Sequence, residues 1–298
     1  MGTCIPAHIL DEHGCITSSQ TSIERLSLVT DGTCPQAGSR LEGLDKLKNL
    51  KHLAWQGVSD TREVTALCQC IVENLVRLKT LQLSFGSGSM YARDLRHGLN
   101  GFELAISECA IKLFALQSLS LSNFAFTRKY EMTAQAFNVA GLRYLTLRGC
   151  AYQLAFLQSL AQSRQPLKLK SFELCFDGIQ EPDIANPHAV VEFLTSFSGL
   201  KYLHLLVSNT FISTHWFRDL ILHHRRSLKS LIYHERDLIS IDTERLFEET
   251  RDVATSWAAD IPRILQQCDL KFLGLCLNLS SAVSWPPTDH TSSQNVYC

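Results

Sequence analysis

Charge and proline are both scarce in this chain. Only 19% of its 298 residues are charged and eight are proline, while 45% are apolar. That composition excludes a disordered polyelectrolyte or a proline-rich linker, because it supplies enough apolar surface for a sizeable core. No sign of charge dominates, since the formal net charge is -1. A global field that would gather nucleic acid or an anionic membrane is therefore not expected. No stretch reaches the ~18 continuous apolar residues of a membrane helix. The opening residues lack a basic start followed by an apolar run, so no secretory signal is expected and the expected location is cytoplasmic or nuclear.

Catalytic motifs are absent as well. There is no P-loop, no GxGxxG and no GxSxG. His234-Glu235 begins like the zinc-protease HExxH, but Leu238 stands where the second His is needed. Without a nucleophile or acid–base constellation, the chain is read as no enzyme, with no cofactor and no metal. Eleven cysteines are present, an odd number at irregular spacing. Cys68 and Cys70 are one residue too close for a CxxC pair. Most of the others lie in apolar stretches, and they are read as buried thiols in a reducing compartment.

What the sequence does have is a repeat. Leu50 to Trp55 follows the pattern L-x-x-L-x-L, and Leu78 to Leu83 follows it again. Further copies begin at Leu116, Leu142, Leu169, Leu200 and Leu228, with an earlier one at Ile23 and a late one at Leu270. Of the 27 key positions in these nine copies, 23 are Leu; the others are Ile23, Trp55, Phe172 and Tyr233. An independent regularity supports the repeat. The residue after the first apolar position is basic in seven copies: Lys51, Lys79, Arg143, Lys170, Lys201, Lys229 and Lys271. Successive copies are separated by 27, 28, 38, 26, 27, 31, 28 and 42 residues. Most of these intervals leave room for one strand and one helix per repeat.

This pattern resembles the leucine-rich-repeat superfamily over roughly residues 20 to 280, and is most similar to the repeat regions of fungal F-box proteins. The resemblance implies an α/β, right-handed solenoid with parallel strands on a concave face and helices on a convex one. The family often carries Asn or Cys three residues past the third Leu; here only Cys150 and Asn278 do. Residues 1–22 are expected to form an N-terminal segment without a complete F-box. Residues 23–280 form the expected solenoid, and 281–298 a polar, flexible tail.

Helical spacing predicts helices over 62–77 and 101–112, one opened by Asn186-Pro187, and one carrying Trp216, Phe217, Leu220 and Ile221. The two long intervals predict insertions at 86–101 and 236–261, the latter with an extra helix near 243–257. A softer loop is expected at 177–186. His223-His224-Arg225-Arg226 is expected to sit favourably at a helix C-terminus.

Within each copy the second and third apolar residues point inward, and their neighbours point to the opposite face. Three outward columns follow. One runs Arg25, His52, Thr80, Ser118, Tyr144, Ser171, Tyr202, Ser230, Phe272. The middle one runs Ser27, Ala54, Gln82, Ser120, Thr146, Glu173, His204, Ile232, Gly274. The third runs Val29, Gln56, Ser84, Ser122, Arg148, Cys175, Leu206, His234, Cys276. The early entries are small and polar. From the fifth copy on, Tyr144, Arg148, Glu173, Tyr202, His204 and His234 gather. Aromatic residues and Arg dominate protein-binding hot spots, so these six are the candidate partner-binding site. His204 and His234 stand in different columns, which disfavours a metal pair.

The function expected from this reading is a non-catalytic scaffold that binds a protein partner on the concave face. The resemblance implies an alternative, a substrate-recognition subunit of an F-box-type ubiquitin ligase contacting the ligase adaptor. A second alternative is a regulator of an enzyme such as a GTPase, which would project Arg148.

Overall fold

The computed structural model describes residues 7–30, 41–86, 112–126, 130–163, 166–176, 188–208, 214–236 and 263–276. Nine strands in these segments form one sheet, and every adjacent pair is parallel. They are β1 (Arg25–Val29), β2 (His52–Val58), β3 (Thr80–Phe85), β4 (Ser118–Ser122), β5 (Tyr144–Arg148), β6 (Ser171–Cys175), β7 (Tyr202–Ser208), β8 (Ser230–Arg236) and β9 (Phe272–Cys276). Their order in the sheet is their order in the chain. Helices alternate with them: α1 (Ala7–Leu10), α2 (Cys15–Ser19), α3 (Thr61–Glu73), α4 (Tyr130–Ala136), α5 (Gln153–Gln162), α6 (His188–Thr195) and α7 (Thr214–His224). The result is a solenoid-like α/β arrangement.

The inward ladders follow from the pleat. Leu53, Leu81, Leu119, Leu145, Phe172, Leu203 and Leu231 stand on successive strands and are all buried. So are Leu28, Trp55, Leu83, Leu121, Leu147, Leu174, Leu205 and Tyr233, two residues further along. Helix residues such as Leu67, Phe156, Phe193 and Leu220 join them in one core. Sheet and helices therefore make two layers, and no helix among the described residues covers the other face of the sheet. Large rings fill the wider gaps. Phe126 stacks on Phe156 at 4.2 Å between centroids, and Phe193 lies 5.2 Å from Phe172 and 5.5 Å from Phe197. At the two outer strands the packing thins, and Leu26, Leu273 and Leu275 are only half-buried.

A second ladder is made of backbone. The residue just before each strand offers its carbonyl to two consecutive N–H groups of the next repeat. Lys170 O accepts from Lys201 N at 2.8 Å and Tyr202 N at 3.0 Å, and Lys201 O accepts from Lys229 N and Ser230 N in the same way. Glu24, Lys51, Lys79, Gln117, Arg143 and Lys229 repeat this arrangement. The doubled bond fixes the register at the strand entrance.

Helix α3 begins with two side-chain caps close to a capping box. The Asp60 carboxylate accepts from Glu63 N at 2.7 Å, and Glu63 reaches back to accept from Ser59 N at 2.7 Å. The helix ends at Glu73, earlier than helical spacing predicts, because the Asn74 side chain takes over its terminal bonds. Asn74 donates to Leu47 O and Cys70 O and accepts from Leu50 N, so it ties α3 to the neighbouring repeat. In β2 the register shifts at Gly57, whose φ is +84°. A Cβ there would lie 1.7 Å from Thr30 O, so this bulge requires glycine.

Helices are confirmed at α3, α6 and α7. The expected helix at 101–112, the Asn186-Pro187 start, the loop at 177–186, most of both insertions, the 243–257 helix and the 281–298 tail lie outside the described residues. Between β1 and β2 the described connection is a 3-10 turn at Glu42–Lys46 rather than an α-helix.

Candidate functional site

The strand register aligns the three outward columns residue for residue, from Arg25 opposite His52 through Ser230 opposite Phe272. The open face is therefore a grid whose rows are columns of the repeat. On its early strands the outward side chains are mostly polar and carry no aromatic ring but His52, with Arg25 at the edge and serines prevailing by β4. The His52 Nδ1 lies 3.1 Å from Thr80 Oγ1, and beyond it come Ser84, Ser118, Ser120 and Ser122.

From β5 onward the chemistry changes. Glu173, in the middle row of β6, is reached from both sides. Arg148 Nε on β5 donates to Glu173 Oε1 at 2.7 Å, and His204 Nδ1 on β7 lies 3.5 Å from the same oxygen. The Glu173 side chain is only 20% exposed and Arg148 is 55% exposed. The carboxylate pushes the Arg148 guanidinium above its ordinary value, chiefly through that hydrogen bond. With Arg148 so exposed, the pair adds at most about 1 kcal/mol to stability. Its main effect is to order two long side chains on a rigid strand pair.

Tyr144 and Tyr202 flank this cluster in the first row, 47% and 50% exposed. They stand two strands apart with Ser171 between them. His234 lies one strand beyond His204 and in the next row, opposite Leu206. Five of the six candidate residues are thus brought onto three neighbouring strands, with His234 at the border. Among the described residues no group of three His, Cys, Asp or Glu is arranged to hold a metal.

Three neighbours lie outside the six residues that the sequence points to. Phe272, 41% exposed, continues the first row two strands beyond Tyr202, with Ser230 between. Its ring edge sits over Gly274, where a Cβ would meet Phe272 Cε1 at 3.4 Å and Ile232 Cγ1 at 3.5 Å. Phe272, Gly274 and Ile232 are therefore one apolar surface beside the tyrosines. The alternation of aromatic residue and Ser along the row was the available signal.

The histidine pair in α7 plays a different part from the one expected of it. His223 and His224 end that helix, but their Nε2 atoms meet carbonyls of the preceding repeat, Phe197 O at 2.7 Å and Leu194 O at 2.8 Å. They stitch one repeat to the next. Burial lowers the His224 imidazole to about 4, so it stays neutral. Asn74 and Asn138 occupy the same place, four residues before the first Leu of a copy, and both donate to a carbonyl of the preceding repeat. Cys150, three residues past the third Leu of its copy, makes a related contact to Leu121 O at 3.4 Å. Burial pushes the Cys70 thiol up to about 12, which makes it an unreactive core group. No helix among the described residues is long and apolar enough to cross a membrane.

A scan of protein-family models finds no match to this chain, and a search of curated proteins finds none either.

Proposed function

We propose that this chain is a leucine-rich-repeat scaffold without catalytic activity, and that it binds a protein partner on the open face of its sheet. The observation that carries this reading is the cluster of Arg148, Glu173 and His204 between two half-exposed tyrosines on rigid strands. Ordered aromatic and Arg side chains are what binding hot spots are made of, and strands hold them more rigidly than loops do. The nine-copy L-x-x-L-x-L pattern and the in-register parallel sheet support the repeat class. Arg148 is engaged by Glu173, which disfavours its use as a projecting finger toward a GTPase.

The test is an affinity capture from native lysate with wild type and Tyr144→Ala/Tyr202→Ala/His204→Ala, after circular dichroism shows an unchanged fold. The reading predicts a partner that the variant loses. Retention of every partner would move the site away from this face.

A further inference from the structure

The basic residue shared by seven copies has no part in the function just proposed, and the fold does not explain it. Its backbone carbonyl takes the doubled bond from the next repeat, but Glu24 and Gln117 do the same with acidic and neutral side chains. The backbone role therefore demands no cation. These residues nevertheless hold equivalent positions at the strand entrances, each one residue before the first outward row. Near the ends of this line two of the cations have an anion. Lys51 pairs with Glu24, and Lys229 pairs with Asp269, which Lys271 also influences. Between them lie Lys79, before β3, and Arg143, Lys170 and Lys201, each just before one of three consecutive strands, and no ion pair reaches these four among the described residues. Like charges at neighbouring strand entrances repel, so an anion lying along them would be favoured.

The row beside these cations is the aromatic one. Tyr144, Tyr202 and Phe272 recur on every second strand, separated by Ser171 and Ser230. Two strand steps amount to about 9.6 Å. A polyproline II segment repeats one face every three residues, about 9.3 Å. The two periods match. An extended β-strand fails the match because residues three apart point to opposite faces. Two turns of an α-helix span about 10.8 Å, further from two strand steps than one polyproline II turn is.

We propose that the first row and its basic border bind an acidic segment in polyproline II conformation. Proline or aliphatic residues at every third position enter between the rings, and carboxylates lie along Arg143, Lys170 and Lys201. This rests on the open face being the partner surface, and it adds the partner's chemistry. A single-stranded nucleic acid is the rival polyanion. Glu173 in the adjacent row and the net charge of -1 act against both polyanions alike, so the oligothymidine arm of the test decides between them.

The test is fluorescence anisotropy on the full chain with a labelled peptide of about four Pro-Pro-Glu repeats, each repeat being one polyproline II turn. Three probes accompany it: the Pro-Pro-Lys counterpart, a Gly-Gly-Glu counterpart, and an oligothymidine. The proposal predicts saturable, salt-sensitive binding of the Pro-Pro-Glu peptide alone. Lys170→Glu/Lys201→Glu is expected to weaken it at least about tenfold, or 1.4 kcal/mol, with Tyr202→Ala also weakening it. Lys79→Glu, on a strand with no ring in the row, is expected to leave it unchanged. Tighter binding of the oligothymidine, equal binding of the lysine or glycine peptide, or no saturation up to about 1 mM would overturn the proposal. The two readings fail separately. If the tyrosine and histidine variant loses its partner but the lysine variant keeps it, only the acidic segment is wrong. If both variants keep it, the open face is not the partner surface.

Discussion

The early and late halves of the sheet are alike on one face and different on the other. Inward, Leu53 and Leu83 on β2 and β3 match Leu203 and Leu205 on β7, all of them buried. Outward, Thr80, Ser84 and Ser118 give way to Tyr144, Arg148, Glu173, Tyr202 and His204. The inner face is set by packing, which every repeat must satisfy to stack on its neighbours. The outer face carries no such demand, so its large and charged residues need another cause. A difference confined to the face that packing leaves free is what a binding surface would produce.

The sharpest way to break this comparison is to disturb the inner face in both halves. Leu83→Ala and Leu205→Ala are each expected to cost about 2–5 kcal/mol, measured by urea unfolding. Phe193→Ala belongs at the upper end, because its ring packs between Phe172 and Phe197. A cost near zero in the late half alone would mean that its core is not equivalent to the early one.

The stitches between repeats offer a smaller effect. His224 is held neutral in the folded chain and titrates near 4, against an ordinary value of 6.5. The unfolded chain therefore binds the proton first. The stability this neutral form contributes is complete above about pH 6.5, is lost as pH falls toward 4, and amounts to about 3 kcal/mol at most. His224→Asn, copying Asn74 and Asn138, is expected to flatten that part of the pH profile while keeping the fold. Urea midpoints across the pH range check this, and an unchanged slope would show that His224 is not the group responsible.

On the outer face, Arg148→Ala is expected to change stability by less than about 1 kcal/mol in a thermal melt. A larger loss would make Arg148 a structural residue rather than a surface one.

The strands and their register were legible because each copy writes them in six residues. Once Leu53, Leu81 and Leu119 are aligned, the pleat fixes what faces outward. Other features were not legible, for physical reasons. Asn74, Asn138 and His224 lie outside the strand motif, and their value depends on a carbonyl about 24 to 30 residues earlier in sequence. The Arg148–Glu173 contact joins different columns of adjacent strands, so it depends on side-chain rotamers rather than on register. Of the candidate site, the positions were readable but the pairing was not. Phe272 stands out only through the alternation of ring and serine along its row, because as a single residue it is one more ring among many.

The central claim is that the late half of the open face binds a partner and the early half does not. The most direct measurement places a photoreactive phenylalanine analogue at Ser171 or Ser230, between the rings, and at Ser84 or Ser118 as controls, then irradiates native lysate. The account predicts a covalent adduct from Ser171 and Ser230 and none from Ser84 and Ser118. Equal adducts from both halves, or adducts from the early half alone, would contradict it.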